Sequence, residues 1–385
     1  MQNRLTEMFG IEFPIFAFSH CRDVVAAVTN AGGMGVLGAL AFTDEQLELE
    51  LKWIDEHVAG KPYGVDVVMP VKTADRELGL GGDAKDLGAQ LRAMIDQEHW
   101  DYVDKILRDH GVDPDAEPDD ADAPMRSGMA SGGVLGWTEA TGTPQIDIAL
   151  AHPIALLASA LGPPPREAIE RAHAQGVKVA ALIGRVAQAQ RDVAEGVDII
   201  IAQGYEAGGH TGEVATMVLV PDVVDAIAPV PVLAAGGIGT GRQMAAGMAL
   251  GAEGVWTGSI WLTVAENDSS EVVTQKLINA RSTDTVRSRS MTGKPARQLR
   301  TAWTEAWESP ESPGPLPMPL QFILWSYAMR RIGRAGASEL VGMPVGQIVS
   351  RMNSVRTAKE VVFDMVQEYV DVTERMHDAM VDVGA

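Results

Sequence analysis

The stretch QGYEAGGHTG, residues 203–212, sets one histidine and one glutamate among four glycines. His210 and Glu206 are side chains that can move or orient a proton. Gly208 and Gly209 let the backbone come close to a flat or anionic ligand. Two more glycine loops follow: AAGGIGTG at 234–241, which opens a helical pattern, and TGS at 257–259. Such loops aim backbone N–H groups at an anion, and a phosphate is the anion they fit. One glycine string is common in tight turns. Two that close consecutive apolar runs are a more specific pattern. The plain alternative for His210 is a brace for its own loop. Near the N-terminus, His20-Cys21-Arg22 offers a second histidine beside the chain's single cysteine. A catalytic thiolate needs a base facing it. Neighbours on an extended strand point to opposite sides, so Cys21 is expected to be a buried spectator.

These residues need a scaffold that brings separate loops to one place. Eight short apolar runs supply it: 13–17, 34–38, 63–68, 154–159, 177–182, 197–202, 231–235 and 254–258. They are apolar on both faces, as buried parallel strands are. Helical stretches separate them, among them 23–31, 165–175, 187–195 and 241–250, and Gly32, Gly176, Gly196 and Gly251 stand at their C-terminal ends. The alternation predicts an α/β fold of (β/α)8 TIM-barrel type, with an open doubly wound sheet as the rival. In such a barrel all three glycine loops fall at the C-terminal mouth, where barrel active sites lie.

Two segments do not fit the repeat. Residues 72–144 hold 16 acidic and 7 basic residues and read as an acidic insertion after strand 3. Its part 86–110 has a helical pattern. The run 109–124 has seven acids and three prolines with no Lys or Arg, the signature of a solvated loop. Its Asp113, Asp115, Glu117 and Asp119 are spaced as in an EF-hand, but Pro118 stands where that loop needs glycine. Beyond the eighth strand, 297–307, 322–333 and 358–381 read as helices around a break with five prolines at 309–319. The expected organisation is a barrel over 1–282, carrying the insertion 72–144, and a C-terminal helical cap over 283–385.

The formal net charge of −21 opposes phosphate backbones and argues against nucleic acid as a partner. One cysteine leaves no disulfide framework and no Cys-rich zinc site, and no metal site is expected. No apolar run is long enough to span a membrane, and the first ten residues lack a signal core. The expected setting is cytoplasmic. The expected partners are a small-molecule substrate and, in a homodimer, a second copy of the chain.

PIFAFSH (14–20), NAGGMGVLG (30–38), KPYGVDV (61–67), QGYEAGGHTG (203–212), PVLAAGGIGTG (231–241) and LGAEGVWTGSIWL (250–262) follow in order. The series resembles the nitronate monooxygenase (2-nitropropane dioxygenase) family of FMN-dependent TIM-barrel oxidoreductases. It is also similar to the related flavin-dependent enoyl-thioester reductases. The resemblance covers about 1–70 and 150–265, with an echo in GQI at 346–348. It implies FMN with its phosphate on Gly236, Gly237, Gly258 and Ser259. It places Ala17, Phe18, Ser19, Asp66 and Gln203 near the isoalloxazine ring, and Gly208 and Gly209 beside the phosphate or ribityl chain. NAD(P)H is the candidate electron donor, and His210 and His20 are the candidate catalytic residues.

The sequence departs from the family pattern in four places. The family has Asn where this chain has Asp66, and a carboxylate donates no hydrogen bond unless protonated. Nitronate enzymes carry a base histidine at the end of the fifth strand, whereas this strand reads VKVAALIG around Ala181, with no histidine between His173 and His210. The loop after the first strand is shorter than usual and carries His20-Cys21-Arg22 where the family has apolar residues, which makes His20 a candidate replacement acid or base. The acidic insertion is the fourth departure. The expected function is FMN-dependent redox chemistry of nitronate monooxygenase type. Reduction of an enoyl thioester or a quinone by NAD(P)H is the alternative on the same site. A flavin-free barrel enzyme acting on a phosphorylated substrate is the alternative of another class.

Overall fold

The computed structural model describes residues 1–68, 84–116, 139–160, 162 and 164–381. Eight parallel strands close into a barrel: β1 (Ile15–Ser19), β2 (Met34–Gly38), β3 (Gly64–Val67), β4 (Leu156–Ser159), β5 (Lys178–Ile183), β6 (Ile199–Gln203), β8 (Val232–Ala235) and β9 (Gly254–Thr257). The strand between β6 and β8 in the chain, β7 (Gly209–His210), lies outside the barrel. It pairs with β11 (Ala296–Leu299), which pairs with β10 (Thr285–Ser288), as a small antiparallel sheet.

The twofold alternation of each strand divides its side chains between two cores. Phe16, Met34, Val36, Leu156, Ala180 and Ile201 pack together inside the barrel. Ile15, Leu37, Val65, Leu157, Val179 and Ile200 face the surrounding helices. Both faces are buried, so the strands read as unbroken apolar runs. The helix Arg4–Phe9 joins the inner core through Leu5 and Phe9, the latter edge-on to Phe16 at 5.6 Å, and plugs the N-terminal end. The helices Arg22–Asn30, Arg166–Ala174, Val186–Ala194 and Gly241–Ala249 agree with the expected ones to within a residue or so at either end. The four glycines that follow them all have positive φ. The C-terminal helix Ala358–Val381 crosses Gly241–Ala249 so closely that a Cβ on Gly241 would lie 2.2 Å from the carbonyl of Met365. Arg242 and Glu368 pair at 2.5 Å beside that crossing.

Among the described residues, three helices stand between β3 and β4: Ala84–Ala93, Gln97–Asp109 and Glu139–Ala151. The last leads directly into β4, so regular barrel structure resumes five residues before the expected end of the insertion at 144. Most of the acidic run 109–124 lies outside the described residues. The expected all-helical cap needs correction. Residues 297–299 form strand, not helix, because Ala296–Leu299 hydrogen-bonds both β10 and β7, and the helix begins only at Ala302.

The insertion and the C-terminal region share one core. Leu91, Val103 and Leu107 pack with Trp303, Leu324 and Ile332 in a cluster separate from the barrel's own. Burying side chains of this size contributes about 1.5–3 kcal/mol each. Polar contacts tie the same halves: Tyr327 Oη donates to Asp104 at 2.9 Å, and Tyr102 Oη donates to the Ala306 carbonyl at 2.5 Å. Val68, just past the end of β3, belongs to this cluster. The shared unit therefore roofs the C-terminal mouth. Among the described residues, no helix is long and apolar enough to cross a membrane.

Candidate active site

The alternation that builds the inner core also fixes which expected site residues look into the mouth. Phe18, Gly38, Asp66, Leu182, Gln203, Ala235 and Gly258 continue the inward-facing series of their strands or stand one residue past their ends. Phe18 stacks on Trp256 at 6.2 Å and meets His20 edge-on at 5.1 Å. Gln203 is half-buried and in register with Ala235. Ala17 and Ser19 face the other way. Ala17 is sealed in the outer core, and the Ser19 hydroxyl accepts the Cys21 N–H at 3.1 Å at the start of the next helix. The resemblance places this loop near a ring in the mouth; in this orientation Ala17 and Ser19 would meet it through their backbone and Phe18 through its side chain. Cys21 is buried and its Sγ donates to the Glu266 carbonyl at 3.2 Å.

Asp66 is 3% exposed, and its Oδ2 has no hydrogen-bond partner among the described residues. Burial alone pushes its carboxyl up to about 7. Such a group is poised to hold or release a proton near neutrality.

The glycine loops touch one another: a Cβ on Gly236 would lie 3.1 Å from the Gly204 backbone, and one on Gly239 3.4 Å from Ile260. Gly236 and Gly237 have φ of 100° and 68°, conformations that L side chains rarely adopt. Among the described residues, the N–H groups of Gly237 and Ile238 donate to no protein acceptor. They are free to meet an anion in the way that helix N-termini do. Gly258 continues β9 and precedes a 3-10 turn at Ser259–Thr263. The Ser259 hydroxyl accepts the Gly346 N–H at 2.8 Å and keeps its own proton to donate. Gly346 is the glycine of the GQI echo. A Cβ on Gly208 would lie 2.8 Å from the backbone of Val345 and Gly346, so the 203–212 loop and this C-terminal segment are in backbone contact.

Glu206 has a structural assignment that sequence reasoning missed. Its carboxylate accepts the backbone N–H of Thr216 at 3.0 Å and the Thr216 hydroxyl at 2.9 Å. It caps the helix Thr216–Ile227 and sits against Gly237, whose Cβ would be 3.4 Å from Glu206 Cβ. It ties the loop after β6 to the loop after β8 rather than facing a substrate.

The two candidate histidines sit apart. His20 donates from Nδ1 to the Gly38 carbonyl at 2.9 Å, which lays its ring over Gly38 at the barrel rim. His210 lies in the roof sheet and donates from Nδ1 to the Pro295 carbonyl at 3.2 Å. Its Nε2 carries the lone pair, 3.4 Å from the Thr292 hydroxyl. Burial holds both rings below the ordinary histidine range, partly offset by these carbonyl bonds. The roof fixes the His210 loop from above. Arg297, 3% exposed, bonds the Tyr205 carbonyl and the Thr285 hydroxyl, and Arg287 pairs with Glu213 at 2.7 Å. At the end of β5 the inward residue is Leu182, one place along from Ala181.

A closed parallel barrel with glycine loops after its last two strands is a frame that serves many enzyme chemistries, and comparison with known proteins makes the class specific. The nitronate monooxygenase family profile matches residues 2–368, and the chain belongs to that family. It is 54% identical over 382 residues to a Mycobacterium tuberculosis protein named as a monooxygenase, Rv1533, covering 98% of each chain. It is 30% identical over 383 residues to a Staphylococcus aureus protein named as a nitronate monooxygenase, covering 95% of this chain and 97% of that one. Among solved structures, a nitroalkane oxidase from Streptomyces ansochromogenes matches with a TM-score of 0.76 and 24% identity, covering 97% and 100% of the two chains. FabK from Thermotoga maritima matches at 0.69 and 23%, covering 98% and 99%. The protein is thus a flavin-dependent oxidoreductase of the nitronate monooxygenase family.

Proposed function

We propose that the flavin is FMN and that the enzyme oxidises a nitronate-class substrate at the barrel mouth. The observation that carries the cofactor is the cradle itself: two adjacent left-handed glycines, Gly236 and Gly237, whose loop leaves N–H groups without protein acceptors. Gly258 and Ser259 complete it from the neighbouring strand. Phe18, Asp66 and Gln203 would meet the ring, with Gly208 and Gly209 beside the phosphate or ribityl chain. When bound, FMN supplies the two-electron chemistry that no side chain here supplies. The chain's own residues bind and orient it, exclude water under the roof, and handle protons. His210 Nε2, with its Nδ1 proton committed to Pro295, is the proton-accepting atom of the loop. His20 is arranged in the same way against Gly38.

A second reading draws on Leu182. An apolar residue where nitronate enzymes place their base favours reduction of an enoyl thioester or quinone, with NAD(P)H as donor. Anaerobic bleaching of the flavin separates the readings. Bleaching by a nitronate but not by NADH or NADPH supports the first; bleaching by a nicotinamide alone supports the second. A colourless protein that takes up no added FMN removes both.

A further inference from the structure

Asp66 is the one inward-facing carboxylate of the upper layer of the barrel among the described residues, and its neighbours leave it nothing to bind. Gly38, its in-register partner on β2, has no side chain. Ala158, its in-register partner on β4, offers only a methyl group, and Ser159 beyond it faces the other way and donates its hydroxyl to the Gly162 carbonyl at 2.8 Å. His20, the titratable group that the neighbouring loop brings to this rim, commits its Nδ1 proton to the carbonyl of Gly38. No charged group of the described residues acts on Asp66; burial alone displaces it. An ionised carboxylate here would be buried without a cation or a donor, a state that proteins avoid.

We infer that Asp66 meets the bound flavin as a neutral carboxylic acid, donating its O–H to a carbonyl of the pyrimidine edge, so that flavin affinity depends on one proton. The inference rests on the FMN reading above. A flavin's pyrimidine edge offers two carbonyl acceptors and a single N–H. In the protonated form Asp66 presents one donor and one acceptor oxygen. That is the hydrogen-bonding pattern of an asparagine side chain, delivered by a residue that can lose it. The value of about 7 for the carboxyl places the loss within the working pH range.

Titration of the flavin-free full chain with FMN and with riboflavin, followed by quenching of flavin fluorescence from pH 5.5 to pH 9, tests this. Affinity should be level at low pH and then weaken about tenfold per pH unit above Asp66's value, because binding takes up one proton there. Riboflavin should show the same slope, which removes ionisation of the phosphate as its source. Asp66→Asn should bind FMN as tightly at pH 9 as at pH 6. Level affinity in the unaltered chain, tighter binding at high pH, or a slope that survives Asp66→Asn would each overturn the inference while leaving the FMN site standing. Failure of the chain and of the variant to bind FMN at any pH would overturn the FMN reading, and this inference with it.

Discussion

Arg297 donates two hydrogen bonds to the carbonyl of Tyr205, at 3.2 and 3.1 Å, from 92 residues further along the chain. Its guanidinium also lies 4.7 Å from the centre of the Tyr205 ring. The loop that carries His210 is therefore held from the roof as much as from the barrel. Arg297→Met keeps the bulk but leaves the Tyr205 carbonyl without its donors. It should lower stability by about 1–3 kcal/mol, read as a shifted urea midpoint, and raise the mobility of the His210 loop, read as faster amide exchange at 204–212. Unchanged exchange would show that the glycine loop holds itself.

Gly236→Ala tests the cradle. The position has φ of 100°, and a Cβ would sit 2.8 Å from the Thr216 hydroxyl. The strain costs about 1–3 kcal/mol and falls on the loop proposed to hold the phosphate. Purified protein should keep its circular dichroism but carry far less flavin. Full flavin content would take Gly236 out of the site.

His210→Ala should lower the turnover rate by about a hundredfold or more with FMN still bound. Burial holds His210 below the ordinary histidine range, so Nε2 is unprotonated at neutral pH. A reaction that uses it as a base should fade as pH falls through its lowered value. A rate profile that keeps its acid limb in the variant would assign the limb to another group, His20 being next in line.

Asp66 and the two histidines give opposite pH dependences of stability. Asp66's folded value of about 7 lies above the ordinary aspartate value, so its contribution is present at low pH and lost as pH rises from about 4 to about 7. His20 and His210 are displaced downward, so their contribution is present above the ordinary histidine value and lost as pH falls below it. Asp66→Asn should therefore stabilise the flavin-free chain at pH 8 by about 2–4 kcal/mol and change little near pH 4. Equal melting temperatures of variant and parent at pH 8 would place Asp66 in a more hydrated setting than its 3% exposure implies.

The barrel was legible because each strand buries both faces, and its glycines because close backbone approach leaves few other choices. Orientation was less legible. The first expected run stops at Ala17, whereas the strand spans Ile15–Ser19, and its alternation turns Ala17 and Ser19 outward and leaves Phe18 as the residue that looks in. The strand at Ala296–Leu299 was hidden because one of its partners, Gly209–His210, is a two-residue segment inside a glycine loop. Glu206 read as a proton-handling group because its acceptor role toward Thr216 depends on a fold-level approach ten residues away. The shared core of insertion and C-terminal helices had no local signal, since each half alone reads as an ordinary amphipathic helix.

That shared core orders events in time. The helices Ala84–Ala93 and Gln97–Asp109 leave the ribosome well before their partners at Ala302–Glu308 and Leu320–Ala335 exist. Barrel closure is itself long-range, since Ile15 on β1 pairs with Val255 on β9, and the roof joins Leu91 and Leu107 to Trp303 and Leu324, so both wait for the C-terminal part of the chain. Until then Leu91, Val103 and Leu107 have no cover from Trp303 and Leu324. A chain ending before residue 285 would lack β10 and β11, the strands of the sheet that seats Gly209–His210, together with the C-terminal half of that core.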